Sequence, residues 1–232
     1  SSAASDVYKR QHKGSTYHIG KQVADKLGGE VTEFFLPRDF GDFCVGCTHC
    51  FLKSETLCPH YERLKKITET MDEADVLIFT TPVYVYHCTG SMKAFLDHYG
   101  YRWMVHRPEQ KMFTKQAVVI STAAGSGTKS ANKDIADSMF FWGVPKTYRY
   151  GVNVRATNYS GVTDELKKKI DKKTTSIANK VKKNNGKVKA GLKTKGFFFI
   201  MRMIQKSGWN EADKNYWAER GWNGKNRPWK NT

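Results

Sequence analysis

Residues 43–60 read FCVGCTHCFLKSETLCPH and gather four of the chain's five cysteines, Cys44, Cys47, Cys50 and Cys58, the last followed by Pro59. Thiolates are soft donors, suited to zinc and to iron–sulfur clusters. Three thiols at successive two-residue gaps, with a fourth before a proline, match thiolate ligation of a [4Fe–4S] cluster. Zinc sites more often use two separated pairs, so the longer last gap argues mildly against zinc. Thiols that hold no metal, in a purely structural loop, are the third reading. His49 and His60 lie nearby as further donors, although surface histidines are more often incidental. Cys88 stands apart on another segment and reads as a buried free thiol.

Three further stretches have the composition of binding loops: HKGST (12–16), TPVYVYHCTG (81–90) and TAAGSGT (122–128). Gly14, Ser15 and Thr16 open a helix, where free N–H groups, a partial positive charge and two hydroxyls suit a phosphate. An ordinary helix cap is the alternative. The second loop follows an apolar strand and offers a proline, two tyrosines and a glycine to a flat heterocycle. Strand-like alternation would put Tyr84 and Tyr86 on the same side, although both read equally as core aromatics. The third loop is compared with the G-x-x-x-x-G-K-S/T phosphate loop and fails, because Thr128 separates Gly127 from Lys129. It reads better as small residues that admit a flat ligand's edge to the backbone, or as a plain connector.

Hydrophobic periodicity supplies the elements that must position these loops. Helical spacing from about residue 16 stops at Gly28-Gly29 and is followed by a strand, EVTEFFL (30–36). Beyond the cysteine loop the pattern gives a helix at 61–74, an apolar strand at 75–81 and a helix at 91–103. Another strand spans 116–122 and precedes a helix through DIADSMFFW. A last strand at 146–154 leads into a basic helix. Strands alternating with helices imply a parallel sheet covered on both faces, with its site in the loops at the carboxyl ends of the strands.

With these loops in that order, the sequence resembles the flavodoxin-like NAD(P)H-dependent FMN reductases, and among them the iron–sulfur flavoproteins. The resemblance rests on Gly14-Ser15-Thr16, on the Cys44–Cys58 loop, and above all on Thr81-Pro82-Val83-Tyr84 with Gly90, Lys93, Ala94, Phe95 and Asp97. It covers residues 12 to about 160. It implies a three-layer α/β sandwich with strand order 2-1-3-4-5. It also implies FMN held by Gly14, Ser15, Thr16, Thr81, Pro82, Val83, Tyr84, Val85, Tyr86, Gly90, Thr122, Ala123, Ala124, Gly125 and Gly127, with the isoalloxazine at the second loop. The activity implied is FMN-dependent electron transfer, relayed by the cluster if one forms on the four cysteines. Without a cluster it is NAD(P)H-dependent reduction of quinones or flavins. No residue is assigned as a catalytic acid or base, since the cofactor performs the redox chemistry. The resemblance fails at the start: SSAASDVYKRQ stands where an apolar strand and a Ser-Pro-Arg turn belong. DVYKRQ resembles translated adapter sequence, so residues 1–11 are expected to be non-native, the first strand degenerate or missing, and phosphate binding weakened by Lys9–Gln11.

Composition bounds the rest. The chain has 232 residues, 39% of them hydrophobic, and a net charge of +17. Residues 1–163 hold 20 Lys+Arg against 16 Asp+Glu, and residues 164–232 hold 19 against 6. The excess therefore sits in the last third, where Ile170, Ile177 and Val181 fall at helical spacing and leave the lysines on a solvated face. A nucleic-acid-binding module with cysteine-bound zinc is the rival class, and the balanced charge of the body argues against it. No apolar run approaches the roughly 20 residues of a membrane span. An odd number of clustered cysteines is unlike a secreted disulfide framework, so a reducing, cytoplasmic setting is expected. Residues 1–183 are expected to form the flavodoxin-like domain, and 184–232 a basic, Trp-rich extension packed on that body, on a partner subunit or over the flavin. A homo-oligomer serving a small redox acceptor or a ferredoxin-like carrier is the expected context.

Overall fold

The structure, a computed structural model, describes residues 2–7 as backbone and residues 13–230 in full. Its elements are β1 (Ser2–Val7), α1 (Ser15–Leu27), β2 (Val31–Leu36), α2 (His49–Leu52), α3 (Tyr61–Glu73), β3 (Val76–Pro82), α4 (Gly90–Asp97), β4 (Gln116–Ala123), α5 (Thr128–Phe141), β5 (Lys146–Asn153), α6 (Asp164–Asn184), α7 (Leu192–Ser207) and α8 (Glu211–Glu219). The strands form one parallel sheet in the order β2-β1-β3-β4-β5, the flavodoxin-like arrangement.

The central strand is where expectation and structure differ most. A degenerate or missing first strand is expected, yet Ser2–Val7 pairs with Val31–Leu36 on one side and Ser2–Ser5 with Val76–Phe79 on the other. The ladder is made by backbone N–H and C=O groups, which every residue but proline supplies. SAASDV is poor in the β-branched residues that mark a strand, and so gives little signal of its role. The expectation for residues 9–11 lies outside the described residues.

Alternation along the buried strands builds two cores. Leu77, Phe79, Ala117 and Val119 pack with Leu64 and Ile67 of α3, Phe95 of α4, and Ile135 and Met139 of α5. Val76, Ile78, Val118 and Ile120 face the other way, onto Ile19 and Val23 of α1 and Ile170, Ile177 and Val181 of α6. Gly20 lets α1 approach β3 closely, since a Cβ there would lie 2.5 Å from Thr80 Cγ2. The buried positions of α6 recur at helical spacing and leave its lysines exposed, as the sequence pattern implies.

Helix α4 is shorter than its periodicity suggests. At its end the His98 imidazole Nδ1 bonds the Ala94 carbonyl at 2.7 Å, and the backbone tightens into a 3-10 turn at Gly100–Arg102. The last two helices pack on the body of the same chain. Phe198, Met201, Trp217 and Trp222 surround Met104 and Phe113, with Trp217 fully buried and its Nε1 donating to the His106 carbonyl at 2.5 Å. Trp217→Ala should therefore cost about 3–5 kcal/mol in urea unfolding. A loss under about 1 kcal/mol would show that these helices detach in solution.

Candidate functional site

The carboxyl ends of β1, β3 and β4 open at one edge of the sheet, where the start of α1 meets the loops after β3 and β4. Gly14 is the N-cap of α1 in an extended conformation, with no side-chain cap of its own, and Ser15 and Thr16 occupy the first turn. Both hydroxyl residues are buried. Thr16 Oγ1 bonds Thr122 Oγ1 at 2.5 Å, tying the first loop to the third. Among the described residues, the buried Ser15 Oγ has no hydrogen-bond partner. A buried hydroxyl left unpaired costs about 1–3 kcal/mol, which an anionic ligand at this helix terminus would recover.

The second and third loops are locked together through backbone. Thr81 and Pro82 end β3, and the Val83 N–H donates to the Thr122 carbonyl at 2.8 Å. Tyr84 and His87 exchange backbone hydrogen bonds of 3.0 and 3.1 Å around Val85 and Tyr86, whose φ values are +47° and +67°. The segment is thus a tight turn, and the strand-like alternation expected for Tyr84 and Tyr86 does not apply. Tyr84, Val85 and Tyr86 are exposed, and a left-handed φ at a β-branched residue is a strained conformation of the kind held at binding loops. The Thr81 hydroxyl accepts from the Thr89 N–H, and Thr89 caps α4 at Gly90. Thr122 and Ala123 end β4, with Ala124 and Gly125 in the loop beyond. Gly127 caps α5 at φ +94°, and a Cβ there would lie 2.6 Å from Val83 Cγ1 and 2.9 Å from Tyr86 Cα. Only glycine lets these two loops meet. Cys88 is buried in the core beneath, with its thiol pushed up to about 12 by burial and then by Asp134.

The cysteine loop leaves β2 and turns through Gly46 and Thr48, both at positive φ, before the single turn of α2. Its four thiols are free. Burial pushes Cys50 up to about 11, with Cys58, Cys44 and Cys47 adding to the effect, and burial likewise raises Cys58. The loop is held from behind by residues with no sequence signal. Arg107 donates to the Cys50 carbonyl and, at 3.1 Å, to that of Phe51. Its other partner is Asp213 of α8, fully buried, which also accepts from His106 Nδ1 at 2.7 Å. Asn210 Nδ2 adds a second bond to the Phe51 carbonyl. Asp213 is far along the chain from the loop, so no local pattern points to it. A polar cavity of about 390 Å³ lies beside this clamp, lined by Lys53, Glu55, Arg102 and Arg220 among others, and none of its walls comes from the three strand-end loops.

The NADPH-dependent FMN reductase family model matches residues 9–155. An iron–sulfur flavoprotein of Archaeoglobus fulgidus is 28% identical over 134 residues, covering 56% of this chain and 57% of that protein. One of Methanocaldococcus jannaschii is 36% identical over 70 residues, covering 30% of this chain and 35% of that protein. The chain thus spans about half the length of the first relative and a third of the second. A solved FMN-dependent NADH-azoreductase from Bacillus anthracis, in complex with FMN, superposes with a TM-score of 0.55 at 11% identity, over 77% of this chain and all of that one.

The raised thiols give a pH dependence. Below about pH 9, the ordinary cysteine value, folded and unfolded chains both hold their thiol protons. Between there and about 12, the buried Cys88 keeps its proton only when folded, so stability falls as pH rises through that window. In metal-free protein at pH 8, iodoacetamide mapped by mass spectrometry should label the exposed Cys44 first and Cys88 last. Equal rates would show the β3–α4 loop opening in solution.

Proposed function

Since the chain belongs to the NADPH-dependent FMN reductase family, we propose that it binds FMN across its three strand-end loops and passes electrons from a reduced donor, NAD(P)H or a ferredoxin-like carrier, to a small acceptor. The proposal includes a [4Fe–4S] cluster on Cys44, Cys47, Cys50 and Cys58 as a one-electron relay. The observation that carries the flavin reading is the buried Ser15 hydroxyl, which has no partner among the described residues, at a helix terminus with no side-chain cap and tied through Thr16 to the Thr122 loop. Ser15, Thr16 and the N–H groups of α1 would hold the phosphate. The backbone from Thr81 to Tyr86, with Gly90, and from Thr122 to Gly127 would border the flat ring. When bound, FMN supplies the exchange between two-electron hydride chemistry and single-electron transfer. The two relatives that are iron–sulfur flavoproteins support the cluster reading, as does the donor set itself. Four thiols free of disulfides, on one loop that turns at Gly46 and Thr48, are the soft ligands such a cluster needs. Their protons, held tightly at Cys50 and Cys58, are released on ligation.

Two measurements test these readings separately. In fluorescence titrations, Ser15→Ala should weaken FMN binding by about tenfold, near the 1–1.5 kcal/mol of one hydrogen bond, and leave riboflavin, which lacks the phosphate, unchanged. A chain that binds no FMN, even with residues 2–11 replaced by an apolar strand, overturns the flavin assignment. Anaerobically prepared protein should hold about four iron and four sulfide per chain. Serine at any of the four cysteines should remove most of that iron, and Cys88→Ser should leave it in place.

A further inference from the structure

The four-thiol set does not account for a second group of donors that meets it at Cys58. The Cys58 Sγ and one ring nitrogen each of His60 and His98 all lie within 4.8 Å of one another. His60 precedes α3 and His98 caps α4, so the fold, and not sequence spacing, brings them together. We propose that Cys58, His60 and His98 form a mononuclear site for a divalent transition metal of the zinc class, with a fourth position left to solvent.

The orientation of the rings carries the argument. His98 is buried and its Nδ1 is spent on the Ala94 carbonyl at 2.7 Å, which leaves Nε2 as the lone-pair nitrogen. That is the backbone partner that metal-ligating histidines characteristically have on their other nitrogen. Nε2 points at His60 Nδ1, 2.9 Å away. The Phe40 ring packs edge-on against both imidazoles, at 4.9 Å from His98 and 6.4 Å from His60, and holds their planes. Imidazole nitrogen and thiolate sulfur are both zinc donors, and zinc sites with three protein ligands keep a fourth position open. Metal–nitrogen bonds of about 2.0–2.1 Å at a tetrahedral centre place the two nitrogens roughly 3.3 Å apart, so the rings need to separate by only about 0.4 Å.

The proton balance is simple. Binding converts the Cys58 thiol to thiolate and moves the His60 proton from Nδ1 to Nε2, releasing one proton per metal with no change of oxidation state. Because Cys58 serves both sets, a metal held here excludes ligation of a cluster by all four cysteines. The mononuclear site is thus the alternative occupant of Cys58 when no cluster is built; it does not depend on the flavin reading, and its ligands are complete without the other three thiols.

The test is a cobalt titration of the metal-free chain, followed by displacement with zinc. With Cys44, Cys47 and Cys50 all replaced by serine, the protein should still bind one cobalt per chain, with the visible bands of a tetrahedral centre and a thiolate charge-transfer band. Cys58→Ser should remove the charge-transfer band. His98→Ala should weaken binding by more than about 100-fold, beyond the cost of losing an outer-shell partner. His98→Gln, closer in size, serves as a second variant, with folding checked by circular dichroism. Loss of cobalt from the triple-serine protein, or undiminished binding by folded His98→Gln, overturns the proposal. Neither arm contains iron or sulfide, so a failed cluster reading leaves the result standing.

Discussion

One buried carboxylate holds the chain's distant parts to each other. Asp213 is fully buried in α8 and accepts from both Arg107 and His106, while Arg107 reaches on to the carbonyls of Cys50 and Phe51. An ion pair of this kind gains little over a well-packed apolar substitute, but removing one partner leaves a charge buried alone, at about 3–5 kcal/mol. The pair therefore acts as a constraint. The C-terminal helices cannot leave without exposing Trp217 and stranding Arg107, and the cysteine loop cannot shift without losing its backbone anchors. His106 meets Phe51 edge-on and stacks on Trp209, extending the same contact in apolar form.

The flavin-side loops obey a different constraint, that of close backbone approach. Parallel strands deliver their following loops to one edge, but convergence there needs small residues and tolerated strain. Gly127 supplies the first and the Val85–Tyr86 turn the second. Polar threonines stitch the ends: Thr16 to Thr122, and Thr81 to Thr89. The arrangement leaves Ser15 Oγ without a partner among the described residues, while Thr16, Thr81, Thr89, Ser121 and Thr122 all have hydrogen bonds. A buried hydroxyl beside a helix terminus with no side-chain cap is chemically matched to a phosphate.

Cys58 sits at the junction of two kinds of metal chemistry. Toward the loop it has three thiols for company, and toward α3 and α4 it has two imidazoles. The first set is soft and polynuclear in character, the second mixed and mononuclear. The same side chain is part of both because the loop closes against the N-terminus of α3, where Cys58 and His60 flank Pro59.

How much of this was legible in the sequence follows from the range of each interaction. Residues such as Val118, Val119, Ile170 and Ile177 declare their elements through period alone, and the order of strands and helices implied the sheet before any contact was known. The cysteine spacing and the TPVY segment marked the candidate site because both are local strings. Periodicity failed where local structure departs from regular geometry, as at the Tyr84–His87 turn and the end of α4, where His98 takes the Ala94 carbonyl. It failed at β1 too, because Ser2–Val7 enters the sheet through backbone pairing, to which its side chains contribute no pattern. The sequence by itself determined the alternation of elements, the edge at which the loops gather and the thiol chemistry on offer, since those depend on residues near one another along the chain. Only the tertiary structure decided that Asp213 and Arg107 grip the cysteine loop and that His98 meets His60 and Cys58. Those contacts join residues tens to more than a hundred positions apart, and hydrogen bonds and ligand sets depend on distance in space, which no spacing in one dimension encodes.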